Sequence, residues 1–404
     1  MRVALLSVSA EIGGSETSLL ELVRGLAATP GVEPVLVMPK DGPLEDRARA
    51  AGAATRVLPM PDALISFGEW SMRSAAEIGR RTVTLARAAA ATRTYGTAIA
   101  RLLSELRADV VHTNGFKMHV LAARGAAPGV PIVWHVHEYL RPRPLSRVLL
   151  RHHVHRVSAV VANSRSVAAD LGAALGPSVP ITTIYNAVDL SEFAPGGAVA
   201  DLDRLAGLPP AAAGVCRVGL LATFARWKGH DVFLRAIQRS AAPVRAYVIG
   251  APVYDTAGSQ LTIDELRSRA ASLGVADRVG FTGFAPRPAE ALRALDIVVH
   301  ASTEPEPFGL VIAEGMACGK AVIVSRAGGA AEIVEDGVDA LAAEPGDAGA
   351  LAAAIDRLAA DAALRARLGA AARLAAARRF DPRTFVGSFV GLYTRLTRDA
   401  AVPA

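Results

Sequence analysis

Cysteine occurs only twice in 404 residues, at Cys216 and Cys318. The two lie far apart in apolar surroundings, so neither a disulfide framework nor a thiolate metal cluster follows, and a reducing, cytoplasmic setting is expected. Aromatic residues are 5% of the chain and are not interleaved with basic ones, which argues against a nucleic-acid stacking platform. No uninterrupted apolar run is long enough to span a bilayer. The run Met1 to Leu6 is too short for a signal peptide and reads as a first strand. No Asp-x-Asp metal site stands out.

What is present is apolar bulk. Half of the chain is hydrophobic and only a fifth is charged, so large cores can be buried, and the length predicts two domains. The net charge of +6 suits phosphate-bearing substrates, an anionic membrane surface or nucleic acid without choosing among them. Short apolar strands alternate with helices, which predicts parallel sheets. Arg2 to Val8 is a strand that runs into the turn Gly13-Gly14-Ser15-Glu16 and then a helix carrying Leu19, Leu22, Val23 and Leu26. Strand, glycine turn and helix is the phosphate-cradling arrangement of doubly wound sheets. Pro59 to Arg107 breaks the rhythm and is helical by composition, with Phe67, Trp70 and Met72 early in it.

Strand ends carry the polar residues. One strand ends in His112-Thr113-Asn114, another in His135-Val136-His137-Glu138. Alternate residues share a strand face, so His135 and His137 could converge on a metal with Glu138, or meet a substrate. Arg141 to Arg156 is the most basic stretch, its second half helical with Val148, Leu149, Leu150 and Val154 among arginines and histidines. It reads either as a solvated helix face or as an interfacial membrane contact.

Ser302 to Gly337 is the richest stretch. A buried strand, Ile297 to Val299, runs into Glu304-Pro305-Glu306-Pro307-Phe308-Gly309, then a helix from Leu310 to Ala317 stopped near Gly319. Glu306 falls in the loop and Glu314 about one turn into the helix, so two carboxylates can face one cleft at different depths. Unpaired N–H groups at Phe308 to Leu310 would bind an anion. Carboxylates for hydroxyls beside amides for phosphate suit a nucleotide sugar.

The Glu-Pro-Phe-Gly-Leu-Val-x-x-Glu run, with its Glu-x7-Glu spacing, resembles the retaining nucleotide-sugar glycosyltransferases of family 4. Gly13-Gly14-x-Glu16 and Lys228-Gly229 resemble two further motifs of that family. The resemblance implies a GT-B fold: two Rossmann-like domains facing a central cleft, residues 1–190 for the acceptor and 191–379 for the donor. Residues 380–404 would form a helix returning to the first domain. It implies Lys228, Glu306 and His137 as catalytic residues. Gly13, Gly14, Arg226, Phe308, Gly309, Leu310 and Glu314 would join Lys228 and Glu306 on the donor, with Glu314 accepting the ribose hydroxyls. Glu16, Asn114, His137 and Glu138 would serve the acceptor side, with Pro59 to Arg107 edging that cleft. The family places an arginine where this chain has Thr223, and Arg226 is the candidate replacement. A UDP-sugar donor, a glycan, lipid-linked or small-molecule hydroxyl acceptor, and no metal, cofactor or nucleic acid are expected. A sugar-nucleotide epimerase and a nucleotide-sugar binder without turnover are the alternatives.

Overall fold

The computed structural model describes residues 1–65, 78–252 and 260–401, with residues 78–88 and 401 described as backbone alone. Phe67, Trp70 and Met72 lie outside the described residues.

The chain divides into two compact units, Met1–Tyr185 with Pro382–Ala404, and Asn186–Asp381. In the first unit the order is β1 (Arg2–Ser7), α1 (Gly14–Ala27), β2 (Glu33–Met38), α2 (Pro43–Ala50), β3 (Ala54–Val57), α3 (Asp62–Ile65) and α4 (Ile78–Leu106). There follow β4 (Val110–Asn114), α5 (Phe116–Gly125), β5 (Ile132–Val136), α6 (Pro144–His153), β6 (Ala159–Ala162), α7 (Arg165–Leu175) and β7 (Ile181–Thr183). The second unit holds α8 (Leu202–Leu205), β8 (Cys216–Leu221), α9 (His230–Arg239), β9 (Val244–Ile249), α10 (Ile263–Ser272), β10 (Val279–Gly283) and α11 (Pro288–Arg293). It continues through β11 (Ile297–His300), α12 (Leu310–Ala317), β12 (Ala321–Ser325), β13 (Leu341–Ala343), α13 (Ala348–Ala360) and α14 (Ala362–Arg379). The last helix, α15 (Pro382–Ala401), belongs to the first unit.

Each unit is built on one parallel sheet, ordered β3-β2-β1-β4-β5-β6-β7 in the first and β10-β9-β8-β11-β12-β13 in the second. Most strands have apolar middles because helices cover both faces, as Val3-Ala4-Leu5-Leu6 and Ile297-Val298-Val299 illustrate by being almost wholly buried. In both sheets the order reverses beside the first strand, between β1 and β4 and between β8 and β11. Ligands of open parallel sheets bind outside the carboxyl ends of the strands at such reversals.

Trp134, fully buried, anchors the first core and stacks on His119 with ring centroids 5.3 Å apart. α15 docks on α1 at Gly25, where an added Cβ would lie 2.1 Å from Val386. Its Phe389 and Tyr393 are buried, and the Tyr393 hydroxyl meets His112 Nδ1 at 2.7 Å. Among the described residues, no helix is long and apolar enough to cross a membrane.

Candidate functional site

In the second unit the polar residues gather at the reversal between β8 and β11. The loop after β8 forms a short 3-10 turn, Arg226–Lys228, closed by Gly229 in the left-handed conformation (φ 76°). A side chain at Gly229 would place its Cβ 1.8 Å from the Ala301 carbonyl oxygen, so only glycine lets this turn lie on the end of β11. The Thr303 N–H donates to the Trp227 carbonyl at 2.7 Å and ties the two loops together. On the other side the Gly329 N–H donates to the Glu306 carbonyl at 2.7 Å, and the Glu306 N–H to that of Ala327 at 3.4 Å.

Glu306 is thereby held with its side chain buried among donors. Its Oε2 meets Lys228 Nζ at 2.7 Å, the Ser302 hydroxyl at 3.0 Å and His300 Nε2 at 3.1 Å. Burial by itself would raise the carboxyl. The charge of Lys228, and the hydrogen bond and charge of His300, reverse that and hold it well below the usual carboxylate range. His300 and Ser302 escaped the sequence reading. Their signal was the alternation at the strand end, since residues two apart share a face and both point to the residue four beyond Ser302.

α12 spans the residues expected of it. Among the described residues, the N–H groups of Gly309, Leu310 and Val311 make no hydrogen bond. They are the unpaired donors at a helix start, where the dipole favours an anion. Phe308 is buried against Phe380. Glu314 lies on the same helix, buried, with no hydrogen bond to its carboxyl among the described residues. Burial and the nearby Glu192 push it up to about 8, so it is protonated at neutral pH.

Arg226 opens the same turn as Lys228, and its guanidinium faces Glu265 at 3.4 Å, both exposed. The chain carries one Asp-x-Asp run, Asp201-Leu202-Asp203. It is structural. Asp201 caps α8 at Arg204 N, and buried Asp203 accepts from Tyr247 at 2.6 Å and Arg217 at 2.9 Å. Among the described residues no His, Cys, Asp and Glu group could hold a metal ion, the arrangement of His135, His137 and Glu138 included.

In the first unit the polar residues lie at the carboxyl ends of β4, β5 and β6. His135 and His137 pack with ring centroids 4.0 Å apart, and His112 lies 5.2 Å from His135. Both ring nitrogens of His135 and of His137, His119 Nε2, Asn114 Oδ1 and Asn163 Oδ1 are buried without a hydrogen-bond partner. Burial lowers His137 to about 3, and burial with the neighbouring His137 lowers His112 to about 3. His119 and His135 are held well below their ordinary value, first by burial and then by the neighbouring His112 and His137. At neutral pH His137 offers one donor and one acceptor, and no charge. It lines a small cavity of about 20 Å³ with Ser15, Gly115, Phe116, His119, His135 and Glu138.

Glu16 turns back on its own helix, accepting from the Gly13 N–H at 3.2 Å and the Ser15 hydroxyl at 2.9 Å. Gly14 needs its missing side chain for no contact within the protein, since an added Cβ would meet nothing within 4 Å. Glu138 pairs with Arg143.

Two Rossmann-like units, each with polar residues at the carboxyl ends of its strands, are the parts of a GT-B fold. Residues 12–192 match the family model described as Glycosyltransferase Family 4, and residues 217–375 match Glycosyl transferases group 1. The chain belongs to glycosyltransferase family 4. It is 33% identical over 315 residues to the D-inositol 3-phosphate glycosyltransferase of Xylanimonas cellulosilytica, spanning 72% of each chain. It is 31% identical over 269 residues to the GDP-mannose-dependent alpha-(1-6)-phosphatidylinositol monomannoside mannosyltransferase of Mycolicibacterium smegmatis, spanning 63% of this chain and 66% of that one. Among solved structures it resembles Anabaena HepE in complex with UDP-glucose, with a TM-score of 0.77 and 25% identity over 98% of this chain and all of that one.

Proposed function

We propose that the protein transfers a sugar from a nucleotide-sugar donor, UDP-linked in first preference, to a hydroxyl acceptor with retention of anomeric configuration. The observation that carries this is the buried set Lys228, Glu306, His300 and Ser302 beside the unbonded amides that open α12. Cleaving the donor leaves a diphosphate with added negative charge. Lys228 and the amides of Gly309 and Leu310 are the groups to neutralise it, and removing one such preorganised donor costs about 10²–10³ in rate. No metal or cofactor is needed in this reading. Glu306, kept ionised by its three donors, orients sugar hydroxyls, and Glu314 takes the ribose.

Gly13 and Gly14 let backbone approach the donor. His137, neutral, hydrogen-bonds a sugar hydroxyl, with Asn114 and Glu138 on the acceptor side. Unpartnered buried polar atoms are costly, about 1–3 kcal/mol each, and a polar ligand or water at the carboxyl ends of β4 to β6 would relieve that. No side chain is assigned as nucleophile. The departing phosphate accepts the acceptor's proton on the face it leaves, which retains configuration. UDP is preferred because HepE was solved with UDP-glucose; the mannosyltransferase relative makes GDP the second donor to test. An inositol phosphate is the first acceptor to try, followed by lipid-linked and glycan hydroxyls.

The test is a thermal-shift screen with UDP-, GDP- and ADP-sugars, since a ligand of the folded state raises the melting point by mass action. Transfer is then assayed with and without acceptor, and the product's anomeric configuration is read by NMR. A sugar isomer formed without acceptor would identify an epimerase. Binding without any product across the acceptor set would identify a binder without turnover, and an inverted product would refute retention.

A further inference from the structure

Lysine is scarce in this arginine-rich chain, at Lys40, Lys117, Lys228 and Lys320. Among the described residues, Lys228 is the one of the four that lies over an aromatic ring. Its Nζ stands 3.9 Å from the centroid of Trp227, and the same atom meets Glu306 Oε2 at 2.7 Å. The backbone of Trp227 is fixed independently of its ring. Its carbonyl accepts from the Thr303 N–H at 2.7 Å and from the Thr303 hydroxyl at 3.2 Å, which pins the turn to the loop that leaves β11.

The two anchors of Lys228 act differently on its charge. A lysine is a compact point charge on a flexible four-carbon stem, so its ammonium is preorganised only if something holds it. A carboxylate holds it and cancels its charge. An indole face holds it through the ring quadrupole, bears no net charge and takes no proton. Glu306 has two further donors, Ser302 and His300, so Lys228 can leave it without stripping the carboxylate of partners.

We propose that Trp227 is the positioning residue of Lys228. Its ring keeps the ammonium in place with the charge uncancelled, so that Lys228 can exchange Glu306 for the diphosphate of the donor and remain anchored. Trp227 acts through the lysine and touches no reacting atom. The assignment rests on the nucleotide-sugar reading above.

The contact is tested first, without ligand. Lysine-labelled protein gives four sets of Hε–Cε correlations, and Lys228→Met identifies the one of interest. The Lys228 protons, lying over the indole face, should resonate upfield of their position in Trp227→Leu. An unchanged position overturns the proposal. The role is then read by calorimetry with UDP and GDP as probes. Trp227→Leu should weaken the diphosphate that the wild type binds by about tenfold, the worth of a partly desolvated cation–π pair. In a Lys228→Met background the same substitution should cost less than about twofold, because the lysine it serves is gone. Fluorinated tryptophans placed at position 227 keep the ring's shape while draining its negative face, so affinity should fall stepwise with each fluorine. That series also keeps the test open if circular dichroism shows the leucine variant unfolded. Equal affinity across the fluorinated series overturns the proposal, since packing alone would give that result. So does a full tenfold loss in the Lys228→Met background, which would mean that the ring meets the nucleotide itself. A wild type that binds neither UDP nor GDP while its Lys228 signal is shifted upfield refutes the nucleotide-sugar reading instead, and the role of Trp227 falls with it.

Discussion

The two units should respond to acid in opposite directions, and the size of the difference follows from their buried groups. In the first unit His112 and His137 are held at about 3, against an ordinary value of 6.5. A lowered pKa means that the unfolded chain binds the proton first as pH falls. Stability is therefore full above about pH 6.5 and is lost progressively below it. At pH 5 each of the two histidines costs about 2 kcal/mol relative to pH 8, roughly 4 kcal/mol together. His119 and His135 act in the same direction.

In the second unit Glu314 is raised to about 8, so there the folded chain binds the proton first. Its stabilisation grows as pH falls from about 8 towards the unfolded value and is lost as pH rises through 8. Between pH 8 and pH 5 it gains about 3 kcal/mol. His230, lowered to about 4 by burial and then by Lys228, gives back about 2 kcal/mol. Glu306 titrates below this window. Going from pH 8 to pH 5, the two histidines weaken the first unit by about 4 kcal/mol, with His153, lowered to about 4 chiefly by burial, adding to the loss and Glu16, raised chiefly by burial, opposing it, while Glu314 and His230 change the second by about 1 kcal/mol in the stabilising direction. Typical domain stabilities of about 5–15 kcal/mol make that loss large. Urea unfolding at pH 8, 6.5 and 5, with peptide-resolved hydrogen exchange, separates the units. Peptides from β4 and β5 should lose protection at pH 5, while those from β11 and β12 hold theirs. Equal behaviour of the two sets, or full protection of β4 and β5 at pH 5, would refute the burial argument for the histidines.

Lys228→Met should lower turnover by roughly 10²–10³ with the fold intact by circular dichroism, and unchanged turnover would remove Lys228 from the mechanism. Glu314→Gln should weaken nucleotide affinity with little change in preference among sugars; equal affinity by calorimetry would reject the ribose assignment. If Glu314 binds the ribose as a carboxylate it must shed its proton, so calorimetry at pH 7 in buffers of different ionisation heat should register proton release, and none would mean that the acid stays neutral. Gly229→Ala forces a left-handed alanine against the Ala301 carbonyl, so the melting point and turnover should fall together, about 1–3 kcal/mol from the backbone conformation alone. A variant with native turnover would show that the turn does not position Lys228.

Local chemistry explains which parts of this architecture were legible in the sequence. α12 was readable from Leu310 to Ala317 because a left-handed glycine precedes it and another follows it. Most strands were readable because burial on both faces makes them continuous apolar runs. β13, Leu341–Ala343, was missed because three residues carry no periodicity. α5 was missed because it follows Asn114-Gly115, which reads as a turn, and because its apolar residues are interrupted by Lys117 and His119. The carboxylates of the site and Lys228 were visible as motifs, but the contact between Lys228 and Glu306, and the partners His300 and Ser302, were not. Lys228 stands 78 residues from Glu306, and the two meet only because β8 and β11 are neighbours at the point where the strand order reverses. That adjacency is a property of topology, and so is the fate of Arg226. Arg226 and Lys228 share one short 3-10 turn, and Glu265 on α10, which faces the Arg226 guanidinium, comes from a loop of a different strand. A charged residue near a motif can therefore be counted into a site only once the strand order says which loops share its end of the sheet.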